Sequence, residues 1–105
     1  MITFKEEDSK LICLPEEEII ASNVPPMRDT LIAQLDANDT WQELIFDCEK
    51  VETLDSIGIN LIVGLFKKAK VADKSFKVIG CNEAIIKVLE LFRLNEQFVV
   101  EAKDA

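Results

Sequence analysis

Glu43-Leu44-Ile45-Phe46-Asp47-Cys48 and, after a polar loop, Asp55-Ser56-Ile57-Gly58-Ile59-Asn60-Leu61-Ile62-Val63-Gly64-Leu65-Phe66 decide the reading of this chain. The first stretch is a compact apolar run between polar flanks, the pattern of a buried strand in a parallel sheet. In the second the period changes. Gly58, Leu61, Ile62, Leu65, Phe66 and Ala69 recur at i, i+3, i+4, i+7, i+8 and i+11, one stripe of a helix from about Ile57 to Ala72. Lys67, Lys68 and Lys70 fall in its last turns, where cations suit the helix dipole. The loop Glu49-Lys50-Val51-Glu52-Thr53-Leu54 joins strand to helix.

The same grammar continues on both sides. Downstream, Phe76-Lys77-Val78-Ile79-Gly80 reads as a strand, Asn82 as the cap of a third helix whose Ile85, Val88, Leu89 and Phe92 share a face, and Gln97–Glu101 as a last strand. Upstream, Ile2–Lys5 and Lys10–Leu14 are short apolar segments around the polar Glu6-Glu7-Asp8-Ser9, two strands and a turn. Glu16-Glu17-Glu18 after Pro15 is either a solvated bend or an acidic patch. Ser22 or Asn23 can cap a helix with Pro25 and Pro26 in its first turn, Met27, Leu31 and Leu35 on its apolar face, and an end at Asp36–Asp39. Trp41 is expected to pack at the edge of the core. Strands alternating with helices after an opening pair predict an α/β fold: a mostly parallel sheet of four to five strands with about three to four helices and right-handed crossovers. No linker, repeat or low-complexity segment interrupts the pattern, so the expectation is a single domain over residues 1–105.

Composition narrows the function. The net charge is -8, from 12 basic and 20 acidic residues. Nucleic acid and anionic membrane surfaces would repel such a chain, so the expectation is no direct nucleic-acid binding, and a protein partner with a basic surface is the electrostatic match. There is no histidine, which removes the commonest general base and zinc ligand. No phosphate loop, dinucleotide fingerprint or metal-ligand cluster occurs, so no catalytic residue, metal or cofactor is expected, and the chain does not read as an enzyme. Asp55 beside Ser56 could be imagined as base and nucleophile, but nothing else supports that reading. Cys13, Cys48 and Cys81 are odd in number and widely spaced, each beside an apolar run. They read as buried free thiols in a reducing compartment, with a three-thiolate metal site as the alternative. The first residues show no charged-then-apolar leader and no apolar run could span a bilayer, so a cytoplasmic location without membrane insertion is expected.

Ser56 stands at the start of the strongest helix, and two readings fit it. As an N-cap, Ser contributes about 1 kcal/mol and Asp55 suits the positive helix end. As a modification site, it would hold a phosphate where a helix N-terminus tolerates an anion. Gly58 in the first turn costs about 1 kcal/mol relative to Ala, and its bare backbone would let another group approach closely. Ser56, Asn60, Val63, Gly64 and Lys67 share a face off the core stripe. With Ile57, that face is either a partner surface in which small residues allow close approach or a helix buried over more of its circumference.

Leu54-Asp55-Ser56-Ile57-Gly58-Ile59 ahead of an apolar helix resembles the signature of STAS domains, the anti-sigma factor antagonist family. Leu44-Ile45-Phe46-Asp47 before it fits, as does Phe76-Lys77-Val78-Ile79-Gly80 followed by a helix ending Leu91-Phe92-Arg93-Leu94. The likeness runs from about Lys10 to Glu101. It implies that Ser56 is the family's phosphorylated serine, and with the reading of the helix face above, Asp55, Ser56, Ile57, Gly58, Asn60, Val63 and Gly64 are the expected partner surface. It implies an anti-sigma factor with serine-kinase activity as partner, bound by the unphosphorylated form and released on phosphorylation, and a phosphatase that resets the switch. The ATP would belong to the kinase. The chain departs from the pattern in three places: Glu17 stands where the family often has Gly, Ile20 where it often has Asp, and Ile57 where the residue is often small. The alternative within the resemblance is a constitutive adaptor of a scaffold or lipid-transport complex, with Ser56 only a cap or contact.

Overall fold

Asp8 and Ser9, both with positive φ (53° and 65°), reverse the chain between β1 (Ile2–Glu7) and β2 (Lys10–Pro15). A two-residue turn with both residues left-handed matches the twist of the strands it joins, so the pair runs antiparallel from Ile2–Pro15 to Glu7–Lys10. The computed structural model describes residues 1–103. In it follow α1 (Val24–Ala37), β3 (Glu43–Asp47), α2 (Ser56–Val71), β4 (Ser75–Cys81), α3 (Glu83–Leu91), a 3-10 turn (Leu94–Glu96) and β5 (Val99–Ala102).

The sheet order is β1-β2-β3-β4-β5, and every pairing after the first is parallel. This is the mostly parallel α/β sheet that the sequence predicts, at five strands with three α-helices. Parallel neighbours need long crossovers, and α1, α2 and α3 supply them. Alternate residues Leu11 and Cys13, Leu44 and Phe46, and Phe76 and Val78 are buried, and Ile45 of β3 is covered as well. The central strand therefore reads as a continuous apolar run. Ile62 and Leu65 of α2, Leu31 of α1, and Ile85 and Leu89 of α3 close the core. Phe66, Phe76 and Phe98 form an aromatic cluster with ring centroids 4.9–6.2 Å apart. Trp41 is buried as expected, its indole N–H donating to the Asn38 carbonyl at 2.8 Å.

Several element ends differ from expectation. β4 is longer at both ends and β5 starts later, because the 3-10 turn carries the chain to Gln97 before pairing begins. Asn23 precedes α1, but its side chain makes no cap bond. Its amide donates to the Glu18 carbonyl at 2.9 Å, tying the helix start to the preceding bend. Phe92, expected on the buried face of α3, is 51% exposed. It caps the helix, and Arg93 then turns left-handed (φ 57°), so the chain leaves the helix there and Leu94 rather than Phe92 enters the core. Val88 of the same face is only partly buried against the core.

Candidate functional site

β3 ends at Asp47, and the chain crosses the sheet edge to α2 through a loop held from three sides. Cys48 N–H donates to the Ile79 carbonyl (2.8 Å) and Glu49 N–H to the Asp47 carboxylate (3.0 Å). Gly80, with φ 68°, leaves room for this crossing: a Cβ there would lie 2.5 Å from Asp47 Oδ1 and 2.9 Å from Glu49 N. Glu18 Oε1 accepts the N–H groups of Glu52 (2.9 Å) and Thr53 (2.7 Å), and the Asn82 amide donates to the Glu52 carbonyl (3.0 Å). Glu18 thus has a defined partner set beyond that of a solvated bend. Ile19 runs beside Leu54 as a parallel bridge, with Ile19 N–H donating to Thr53 and Asp55 N–H to Ile19.

This bridge leaves Asp55 extended (φ -107°, ψ -172°), and Asp55, not Ser56, is the N-cap of α2. Asp55 Oδ1 accepts Gly58 N–H at 2.9 Å, and Oδ2 accepts Ala21 N–H at 2.8 Å. Those two bonds, Gly58 first, hold its carboxyl below the usual range. Burial, by contrast, pushes the Asp47 carboxyl up. Ser56 is the first residue of the helix and is exposed, so the cap reading of Ser56 gives way to one in which Asp55 carries that duty.

The structure places the other singled-out residues along the first half of α2, in different surroundings. Ile57 is 41% exposed, and Asn60 and Gly64 are exposed on α2. Val63 is half-buried against the core. Gly58 is buried, and the close approach expected there is made by the chain's own backbone: a Cβ would lie 2.1 Å from the Ile19 carbonyl oxygen. Of the two readings of this helix face, Val63 follows the burial and Asn60 and Gly64 follow the open surface.

An element of the site that the sequence did not reveal lies between α1 and α2. A groove of about 450 Å³ is lined by Val24, Arg28 and Ile32 of α1 and by Ile57, Asn60 and Gly64 of α2. The Lys68–Asp36 ion pair (3.0 Å) spans the two helices at its far end. Helical periodicity identified the core stripes of both helices. It could not show how far apart the helices sit. Among the described residues, no group of three or more His, Cys, Asp or Glu could hold a metal ion. The thiols of Cys13, Cys48 and Cys81 are free and buried. No helix among them is long and apolar enough to cross a membrane.

A mostly parallel five-stranded sheet, entered by an antiparallel strand and handing over from its central strand to an Asp-capped, serine-bearing helix, defines a small α/β module. The STAS domain model matches residues 1–104, and the chain belongs to the STAS domain family. Solved structures share the fold. A Thermotoga maritima protein, assigned as an anti-sigma factor antagonist, is 20% identical, with a TM-score of 0.88 over 95% of this chain and 85% of its own. The Bacillus cell fate determinant SpoIIAA in its phosphorylated form is 13% identical, with a TM-score of 0.71 over 99% and 94%. A sulfate transporter family protein from Wolinella succinogenes is 14% identical, with a TM-score of 0.76 over 92% and 80%.

Proposed function

We propose that this chain is an anti-sigma factor antagonist: it binds an anti-sigma factor with serine-kinase activity while unphosphorylated and is released by phosphorylation of Ser56. The observation that carries the reading is the division of labour at the start of α2. Asp55 supplies the cap and Ser56 is exposed, so the hydroxyl can be modified without breaking the bond that holds the helix end. The γ-phosphoryl group of ATP held by the kinase passes to Ser56 Oγ, the hydroxyl proton goes to a base of the kinase, and ADP leaves. The phosphoserine brings a charge of about -1.5 to -2 to a surface that also exposes Ile57, Asn60 and Gly64. A dianion beside an apolar contact opposes docking through desolvation and repulsion. A phosphatase then restores the serine.

In this reading Ser56, Ile57, Asn60, Val63 and Gly64 present the surface, while Asp55 and Gly58 set the helix that carries them. The chain acts by binding in the bacterial cytoplasm and performs no chemistry of its own. The second reading, a constitutive adaptor, draws support from the shared fold of the sulfate transporter family protein.

Mass spectrometry after incubation with ATP and a host lysate, with Ser56→Ala in parallel, separates the two. The switch predicts a phosphate mapped to Ser56 and missing in the variant. It also predicts that Ser56→Asp releases the captured kinase while Ser56→Ala retains it. A partner held equally by the parent and Ser56→Asp, with no phosphate on the parent, would sink the switch and leave the adaptor.

A further inference from the structure

The groove between α1 and α2 has a charge opposite to that of the molecule. The chain carries a net charge of -8, yet the charged side chains lining this groove are Arg28 and Lys68, both cationic. Lys68 is held by Asp36 at 3.0 Å, and Arg28 has no ion pair among the described residues. The two helices run side by side in parallel, since Ala21 N–H meets the Asp55 carboxylate where both begin and Asp36 meets Lys68 near their ends. The groove is therefore a straight trough, from Ile57 at its open end to the Lys68–Asp36 pair, a length of about 16 Å at 1.5 Å per residue. Its floor is apolar, and Ile57 at its mouth is 41% exposed. At Gly64 an added Cβ would meet nothing within 4 Å, so the wall of α2 is flat there. A straight, apolar, flat-walled trough about three turns long with one free cation on its rim fits a helix with a leucine-type stripe and one flanking carboxylate.

We propose that the α1–α2 groove seats an amphipathic, acidic helix of the protein partner, its apolar side chains on Ile32 and Ile57 beside Gly64 and a carboxylate on Arg28. The inference rests on the reading of α2 as the partner-binding face and names the chemistry of what binds there. It also accounts for release. Ser56 adjoins Ile57 at the mouth, so a phosphate there meets the acidic helix as it enters and competes for Arg28.

The test uses a designed peptide of about 16 residues, long enough to form a helix on binding. It has leucines at i, i+3, i+4 and i+7, with glutamates beside them. Its counterpart carries lysines in place of glutamates. Each is titrated into isotope-labelled protein and followed by amide chemical shifts. The acidic peptide is expected to saturate with shifts at Ile32, Asn60 and Gly64, and the basic one to bind about ten-fold more weakly. Arg28→Glu should reverse that preference. Gly64→Trp, at an exposed position where an added Cβ meets nothing within 4 Å, should block both. Four outcomes overturn the proposal: no saturable shift up to about 1 mM, shifts centred elsewhere, indifference to Arg28→Glu, or Gly64→Trp binding like the parent. None of these readouts needs a kinase. A chain shown to be phosphorylated on Ser56 by its kinase, but whose groove ignores the acidic peptide in the unphosphorylated protein, would therefore fail this inference alone, and a groove that binds in a chain never phosphorylated would fail only the switch.

Discussion

Both carboxylate oxygens of Asp55 accept backbone N–H groups, from Gly58 within the helix and from Ala21 outside it. The ionised form is the one these bonds favour, so its folded-state pKa lies below the unfolded value of about 3.9. A group depressed in this way contributes stability that is present above the unfolded value and lost as pH falls through the folded one. Asp55→Asn keeps one acceptor oxygen and Asp55→Ala keeps none. Both should melt at lower temperature than the parent at pH 7, Ala more so, and the gap should close below about pH 4 as the parent's carboxylate protonates. A gap that is the same at pH 7 and pH 3 in thermal melts followed by circular dichroism would remove the carboxylate from the account. The Asp-Ser pair was visible in the sequence as a helix start, but which of the two capped was not. The choice depends on the extended backbone at Asp55, and that follows from the pairing of Leu54 with Ile19, a contact between segments remote in the chain.

Helix α2 shows how one substitution can have opposite signs within one element. Gly58→Ala would set a methyl 2.1 Å from the Ile19 carbonyl oxygen and 2.9 Å from its Cγ2. The nearest obstacle is backbone in the bridge that orients Asp55, so the helix end must lift, at a cost of about 1–3 kcal/mol or more. Gly64→Ala meets open space and should gain the helix propensity of about 1 kcal/mol that glycine forfeits. Urea unfolding of the two variants should give midpoints on either side of the parent. A neutral Gly58→Ala would mean that Ile19 is not so close. At this scale β3, α2 and Trp41 were legible, because a continuous apolar run, a long stripe and a lone tryptophan each have few alternatives. Phe92 was misread because its spacing continues the stripe of Ile85 and Leu89, while Arg93 in the left-handed region ends the helix before that spacing can act. Glu18 looked like one of three equivalent acids, and only the fold brings the N–H groups of Glu52 and Thr53 to it.

Over the whole molecule, net charge and local charge point different ways. The balance of 12 basic to 20 acidic residues suggests a basic partner, while the α1–α2 groove exposes Arg28 in an apolar setting. Composition averages over a surface that packing divides, so the sum was legible and its distribution was not. The cysteines are the case in which composition and packing agree. Cys13, Cys48 and Cys81 are all free and closed to solvent. Burial pushes the Cys13 thiol to about 12, and the hydrogen bond to Cys81 together with burial pushes Cys48 up. The same bond from Cys48 lowers the Cys81 thiol, but at 1% exposure its reactivity waits on opening of the structure rather than on ionisation. Cys13 lies in the middle of β2, paired on both sides, with its side chain in the packed core, so reaching it requires opening that core. Cys48 begins the loop that leads to Ser56, and Cys81 ends the neighbouring β4, so local opening of that loop can bare them. Position-resolved mass spectrometry during slow alkylation under native conditions should show Cys48 and Cys81 labelling ahead of Cys13. The Cys13 rate should rise with urea as global unfolding does, and the other two should depend on urea only weakly. Replacing Glu18 with Gln weakens the hold on the N–H groups of Glu52 and Thr53, so it should speed Cys48 labelling and leave Cys13 unchanged. Equal rates at all three thiols, or a Glu18→Gln variant that labels like the parent, would mean that the Ser56 loop opens only with the whole fold.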